Sequence, residues 1–312
     1  MEGLIRFLVH LAIMTEIYAI LSLTLNFQFG LTGLANFGHV AFFMLGAYVS
    51  TILMLVAHCP FGVAMAGAII ACGIFGLLIA IPTSRLKADY WAISTLAVAE
   101  ILRKFFYNEK WIVGGGYYRG GAHGIGGIPA PLENVFSPGA YPFFYLVFAG
   151  AFLAAIYLIL ERLTRSPFGR VLKTIREEEV LADILGKDSA TFKMKAMGIS
   201  GALAGAAGAL YASYLRFIGP DQFMPLVTFI VWAMIVVGGL GNMRGALLGA
   251  VVIQAFYSST RYFKDFIPIS ADRLASIRMV AIGVLIVLAV LFLKEGVLKE
   301  KKRIYRSGSE EG

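Results

Sequence analysis

Apolar stretches recur along this chain, most of them close to the ~20 residues that a helix needs to cross a hydrocarbon core. They run Leu4 to Phe27, His39 to Val56, Phe61 to Ile81, Tyr90 to Phe106, Pro142 to Leu160, Ala196 to Phe217, Leu226 to Leu240, Gly245 to Phe263 and Ile277 to Leu293. Some are short, so the number of spans is eight or nine. Lipid offers backbone groups no hydrogen bonds, so a spanning segment must satisfy them internally, as a helix does. Composition agrees: 59% of residues are hydrophobic and mean hydropathy is +0.78, too greasy for a soluble domain of 312 residues. The expected fold is an all-α polytopic membrane protein, a single domain over 1–312, with broken or re-entrant segments in its bundle.

The formal charge of +8 falls mainly into two clusters, which makes nucleic-acid binding a poor reading. One is the loop 161–195; the other is the tail 294–312, with Lys294, Lys299, Lys301, Lys302, Arg303 and Arg306. Basic residues beside apolar spans mark cytoplasmic retention and favour anionic headgroups. Four spans separate loop and tail, so the two share a side. Arg85 and Lys87 fall on that side as well, and the segment 107–141 lies on the opposite, extracytoplasmic side. The N-terminus faces outward if the three early spans cross fully. With an early acid and no small-residue exit, it reads as an uncleaved span. Cys59 and Cys72 read as small apolar side chains, with no disulfide or metal pattern.

Two glycine-rich breaks interrupt the apolar pattern: F-G-L-T-G-L-A-N-F-G-H-V from Phe29 and V-V-G-G-L-G-N-M-R-G from Val236. Each holds G-L-x-N, at Gly33–Asn36 and Gly239–Asn242. A break within a membrane is tolerated where its backbone is buried in protein or lines a cavity. Recurrence in the two halves fits an internally repeated transporter, and it also fits ordinary helix ends. Gly201, Ala204, Gly205 and Gly208, with the pair Gly245 and Gly249, supply small faces for close helix packing.

The loop 161–195 is patterned as structure. Ser166 followed by Pro167 reads as an N-cap and a first helical position. Val171, Leu172, Ile175, Val180, Leu181, Ile184 and Leu185 form an apolar stripe that ends at Gly186, and Asp188 or Ser189 can cap the helix that follows. Arg170, Lys173, Arg176, Glu177, Glu178 and Asp183 occupy the other face. Such a helix either lies in headgroups or docks into a soluble partner; three consecutive acids favour the partner. Polar residues inside spans are costly and tend to face the interior or water. Asn26, Asn36, His39, Ser94, Thr95 and Glu100 are therefore the candidate lining of a substrate pathway. For Glu100 the competing reading is a headgroup-level pairing with Arg103 and Lys104. Glu16, deeper in its span, is read as pairing with a neighbouring helix.

From Arg165 to Lys187 the pattern R-S-P-F-G-R-x-L-x-x-I-R-E-x-E-x-x-A-x-x-L-G-K resembles the cytoplasmic coupling segment of branched-chain amino acid (Liv) ABC-importer permeases. Leu23 to Tyr48, Tyr90 to Ile101, G-I-G-G-I-P ending at Pro129, G-A-L-A-G-A-A-G-A-L-Y-A and V-V-G-G-L-G-N-M-R-G-A-L-L-G-A extend the resemblance through nearly the whole chain. G-H-x-A-F-F and I-R-E-x-E are closer to the M-type than the H-type subunit, although Asn36 stands where Ser is commoner and the loop 111–124 is unusually long and aromatic. The resemblance implies a transport subunit, not an enzyme, with no cofactor or metal. Its partners would be a second related permease, two cytoplasmic ATP-binding subunits and an extracytoplasmic substrate-binding protein, in the cell membrane of a prokaryote. Gly169, Arg170, Arg176, Glu177, Glu178, Glu179, Ala182 and Gly186 would form the ATPase-coupling surface. The chain itself has no G-x-x-x-x-G-K-[ST] motif, so energy for uphill transport must come from another subunit. The rivals are a urea or short-amide permease and, from another class, a self-sufficient channel or ion-coupled transporter.

Overall fold

The computed structural model describes residues 2–83, 86–109, 120–133 and 135–262, with scattered positions between 273 and 298. Ten α-helices fall within them: α1 (Glu2–Thr32), α2 (Val40–Leu55), α3 (Phe61–Thr83), α4 (Ala88–Asn108), α5 (Tyr141–Arg165), α6 (Pro167–Glu177), α7 (Glu179–Ile184), α8 (Ser189–Leu215), α9 (Pro225–Gly238) and α10 (Met243–Tyr262). Two short strands, β1 (Ile125–Gly126) and β2 (Phe217–Ile218), pair antiparallel.

Among the described residues, five helical stretches are long and apolar enough to cross a membrane: Gly3–Thr32, Phe61–Thr83, Tyr141–Arg165, Ser189–Leu215 and Pro220–Gly238. Two shorter apolar helices, Val40–Leu55 and Met243–Ser258, join them. The chain is thus a multi-pass membrane protein, while eight or nine full spans are not reached by this count. α4 has the length but not the apolarity, since Asp89, Glu100, Arg103 and Lys104 lie on it. The span expected from Ile277 to Leu293 falls largely outside the described residues, as do most of the tail 294–312 and positions 110–119 of the long loop.

α8 is the central post. Its glycines let α2 and α3 approach to backbone contact, because in lipid close packing rather than apolar burial drives association. A Cβ on Gly46 of α2 would meet Gly205 O at 2.2 Å, and one on Gly208 would meet Phe43 O at 2.1 Å. Across the bundle a Cβ on Gly249 would strike Met234 O at 1.8 Å, locking α10 to α9. The small faces read from the sequence are therefore helix contacts.

These contacts also fix helix direction. α2 runs parallel to α8, since Phe42 faces Gly201 while Gly46 faces Gly205. α3 runs antiparallel, with Ala68 at Gly205 and Gly76 at Met197. The start of α8 thus shares one end of the bundle with the ends of α3 and α5 and with the charged loop. His10 bonds Tyr214 at 2.8 Å, which puts the N-terminal part of α1 at the opposite end. Segment 120–133 is at that far end too, held by β1–β2 pairing and by the Glu133–Arg216 ion pair at 2.5 Å.

The sequence expected one continuous apolar stripe through the loop, and the structure divides it. Ser166 does cap α6, accepting from Gly169 N at 3.4 Å, and Gly186 does stop α7 with φ +73°. Between them Glu178 is extended (φ −153°, ψ 96°), so α6 and α7 are separate helices. The break lets α6 bury Leu172 and Ile175 on the bundle while α7 turns Ala182 inward. Val180, Leu181, Ile184 and Leu185 stay outside.

Replacing Gly208 with Val should force α2 from α8 and lower stability by ~1–3 kcal/mol or more. Gly62→Ala, with nothing within 4 Å of the added Cβ, should stay within about 1 kcal/mol of the parent or stabilise it, given helix propensity. Thermal unfolding in detergent distinguishes the two.

Candidate functional site

The first break begins where α1 ends. Gly33 takes φ +73°, a conformation glycine adopts without strain. The chain then turns back into the bundle, where His39 meets Thr24, with Nε2 and Oγ1 2.9 Å apart. Thr24 stands two turns before the end of α1, so the re-entry is ~12 Å deep at the rise of a helix. Backbone exposed by such a turn must find partners, and α4 and α9 supply them. Thr95 of α4 accepts from Phe37 N at 3.2 Å, and Thr228 of α9 accepts from Val40 N at 3.0 Å. Trp232 of α9 donates its indole N–H to Asn36 O at 3.1 Å. Ser200 of α8 bonds Thr24 O at 2.9 Å and reaches Gln28 Oε1 at 3.4 Å.

The two G-L-x-N motifs share a local geometry. Asn36 Oδ1 accepts from Gly38 N at 2.9 Å, and Asn242 Oδ1 accepts from Arg244 N at 3.0 Å, each two residues on. Each side chain thus pins the turn that leads into α2 or α10, a familiar use of asparagine. α1 with α2 and α9 with α10 repeat the order helix, pinned turn, helix. α10 returns along α1, since Ser22 bonds Ala246 O and Asn26 bonds Asn242 O.

The breaks also touch one another. A Cβ on Gly30 would lie 2.7 Å from Gly241 Cα, so the chains cross there backbone to backbone. Asn26 closes the junction from one turn earlier. Its Nδ2 donates to Asn242 O at 3.1 Å and its Oδ1 accepts from Gly241 N at 3.0 Å. Behind the second break, Val297 N and Leu298 N each donate at 3.0 Å to the last carbonyls of α9, Val237 O and Gly238 O. The start of the tail therefore sits at the same end as the charged loop.

Of the pathway candidates, Asn26, Asn36 and His39 are fully buried and converge on the breaks. Thr95 joins them through Phe37 N while bonding back to Ala92 O at 2.9 Å. Ser94, its neighbour, is half-buried. Glu100 is apart, near the far end, where Arg103 donates to it at 3.0 Å and also reaches Asp221 at 3.5 Å. Sequence reasoning passed over Thr24, Gln28 and Ser200. Their signal, polar side chains inside apolar runs, was the one that marked Asn26. Among the fully buried groups, Gln28 Nε2 and His39 Nδ1 have no hydrogen-bond partner. Glu16 has a similarly unpartnered Oε2, set against Gly150 of α5.

In the loop, Gly169 is buried against Thr164 O, and Arg170, Glu177, Glu178 and Gly186 are exposed. Glu179 faces the bundle, accepting from Lys193 Nζ at 2.5 Å and Ser189 Oγ at 2.9 Å. Asp183 accepts from Ser189 N at 2.9 Å, so two acids of α7 clamp the start of α8. Arg176 also turns inward and donates to Gly30 O.

Residues 7–290 match the family described as branched-chain amino acid transport system / permease component. The chain belongs to this family. It is 31% identical to the LivM permease protein of the high-affinity branched-chain amino acid transport system of Salmonella typhimurium, covering 93% of this chain and 69% of that protein. A probable LivM permease protein of Methanocaldococcus jannaschii is 30% identical, with 91% of each chain covered. The LivH permease protein of Salmonella typhimurium is 24% identical over 80% of this chain and 85% of its own. LivM and LivH relatives both exist, which suggests a paired-permease system. No solved structure matches the chain. In a permease of this family the interlocked breaks and the loop that grips them form the candidate site.

The Glu179–Lys193 clamp is asymmetric. Lys193 is 4% exposed at its side chain and Glu179 47%. Glu179→Ala would strand a buried ammonium and should cost ~3 kcal/mol or more, while Lys193→Met leaves a carboxylate that water can reach. Amide hydrogen exchange over residues 179–189 should therefore speed up far more in the first variant than in the second.

Proposed function

We propose that this permease is one membrane subunit of an ATP-driven importer of branched-chain or related amino acids. It pairs with a second, related permease and two cytoplasmic ATP-binding subunits. An extracytoplasmic binding protein delivers substrate in the cell membrane of a prokaryote. The observation that carries the reading is the outer face of α7. Val180, Leu181, Ile184 and Leu185 are 63%, 47%, 76% and 65% exposed on a helix that projects from the charged end. Glu177 and Glu178 stand beside them, also exposed. An apolar strip rimmed by acids suits a groove on a soluble subunit better than lipid headgroups. The chain's lack of a nucleotide-binding motif gives such a subunit its role.

Under this reading nothing in the chain reacts with substrate. ATP-driven closure of the partner subunits displaces α6 and α7, and the bundle alternates between outward and inward access. Asn26, Asn36, His39 and Thr95 lie at the breaks, whose separation opens the pathway. Ser94 lies beside Thr95 on α4, and Glu100 stands toward the far end, where the binding protein docks. Arg170, Glu177, Glu178 and Gly186 form the coupling surface, while Gly169, Arg176, Glu179 and Ala182 support it from the bundle side. The same arrangement makes 161–195 and 294–312 cytoplasmic and 107–141 extracytoplasmic.

Two measurements test the reading. Proteoliposomes holding this chain alone should accumulate no leucine, and adding the partner permease, ATP-binding subunits, binding protein and ATP should start uptake. Flux through the chain alone would instead support a channel or ion-coupled carrier. Ile184→Asp with Leu185→Asp should weaken ATPase-subunit association by about tenfold or more, which corresponds to losing ~1.4 kcal/mol. Membrane insertion should be unchanged.

A further inference from the structure

Arg176 was read from the sequence as part of the outward, charged face of the loop, and the structure turns it the other way. Its guanidinium donates to Gly30 O in the last turn of α1. Carbonyls there have no intrahelical partner and carry the negative end of the helix dipole, so a cation is favoured. The side-chain stem lies over Gly33, where an added Cβ would sit 3.1 Å from Arg176 Cγ. Gly30 is the residue that abuts Gly241 at the crossing of the breaks, and Asn26 ties that crossing together. A continuous line of contact therefore runs from α6 through Arg176 and Gly30 to Gly241, and on through the next residue, Asn242, whose Nδ2 donates to Leu298 O of the tail segment at 3.3 Å.

Leu172 and Ile175 also press α6 onto the bundle, but apolar contact is non-directional. It resists being pushed and permits sliding. The arginine adds direction, because its fork holds one carbonyl while its stem is seated over one glycine.

We propose that Arg176 is a positioning residue that carries the displacement of the charged loop to the crossing of the two breaks, so that loop and gate move as one body. The proposal rests on the importer reading and names the residue through which its energy is transmitted. Arg176 touches neither substrate nor nucleotide. Its loss should separate ATP hydrolysis from uptake while leaving the assembly intact.

The test uses the full transporter in proteoliposomes with its binding protein, reading leucine taken up per ATP hydrolysed. Arg176→Gln should keep hydrolysis within about twofold and lower uptake per ATP by about tenfold or more, a coupling loss in the usual range. Arg176→Cys should behave alike. An ideal Cβ at Gly33 lies 3.9 Å from Arg176 Cβ, inside the roughly 3.5–4.5 Å span of disulfides. In the double variant Gly33→Cys, Arg176→Cys, oxidation should therefore restore uptake, and a reductant should remove it again. Gly33→Cys alone measures the strain of a side chain at φ +73°.

Unchanged uptake per ATP in Arg176→Gln overturns the proposal, and so does a formed disulfide without recovery. If the double variant does not insert, the Arg176→Gln ratio decides alone. A parent complex with no ATP-dependent uptake would defeat the importer reading instead, which keeps the two failures apart.

Discussion

The structure turns on one crossing, where Gly30 and Gly241 meet backbone to backbone inside a bundle that lipid surrounds. Unpaired peptide groups are costly in hydrocarbon, so neither break survives there alone. Each is held by polar groups from outside itself. Asn26 satisfies a donor and an acceptor of the second break, while helices α4 and α9 satisfy the first. Glycine makes the crossing feasible, because any side chain at position 30 would overlap Gly241. Close packing of α2 and α3 on α8, and of α9 on α10, then fixes the helices that deliver those partners.

This arrangement divides the molecule into a stiff part and a part whose hydrogen bonds can be exchanged. The α2–α3–α8 contacts are backbone against backbone and give little room for movement short of separation. The breaks are held by single polar contacts to side chains, each worth a net 0.5–1.5 kcal/mol in ordinary settings. A force at the charged end meets the weaker set first. α7 is clamped to α8 by Glu179 and Asp183, α6 is seated by Leu172 and Ile175, and Arg176 leads from both to the crossing.

Much of this was legible in the sequence, and what was not is instructive. The five long apolar helices and the two shorter ones, the small faces, the cap at Ser166 and the stop at Gly186 follow from local composition, and α1 merely runs on from Phe27 to Thr32. Both breaks were visible as G-L-x-N. Their meeting was not, because Asn26 and Asn242 are 216 residues apart and local periodicity says nothing about such a pair. Asn26 was recognisable as a costly polar group without its partner being known. The division of the loop at Glu178 was hidden as well. An unbroken stripe gives the better isolated helix, and Lys193 and Ser189, both supplied by α8, make it worthwhile for Glu179 to turn inward. Arg176 was misread for a related reason, since helical spacing put it among the charges while the free carbonyl of Gly30 drew it to the bundle.

Under the importer reading, the buried polar groups around the first break bear on how a gate there would be biased. Gln28 Nε2 and His39 Nδ1 are buried without partners, and a buried unsatisfied polar group costs ~1–3 kcal/mol. Under the gating proposed above, the arrangement seen here carries that cost, and separating the breaks would relieve it by admitting water or a polar ligand. Opening must meanwhile give up the Asn26, Thr95 and Thr228 bonds that hold the breaks in place. The two contributions are of similar size and opposite sign, which is the condition for a gate that a modest push can move. A fully satisfied network would have locked the break shut, and an apolar one would have had no means of closing around the exposed backbone. On that proposal the unpartnered Gln28 Nε2 and His39 Nδ1 suit a closed position that is stable enough to seal and close enough in free energy to the open one to yield.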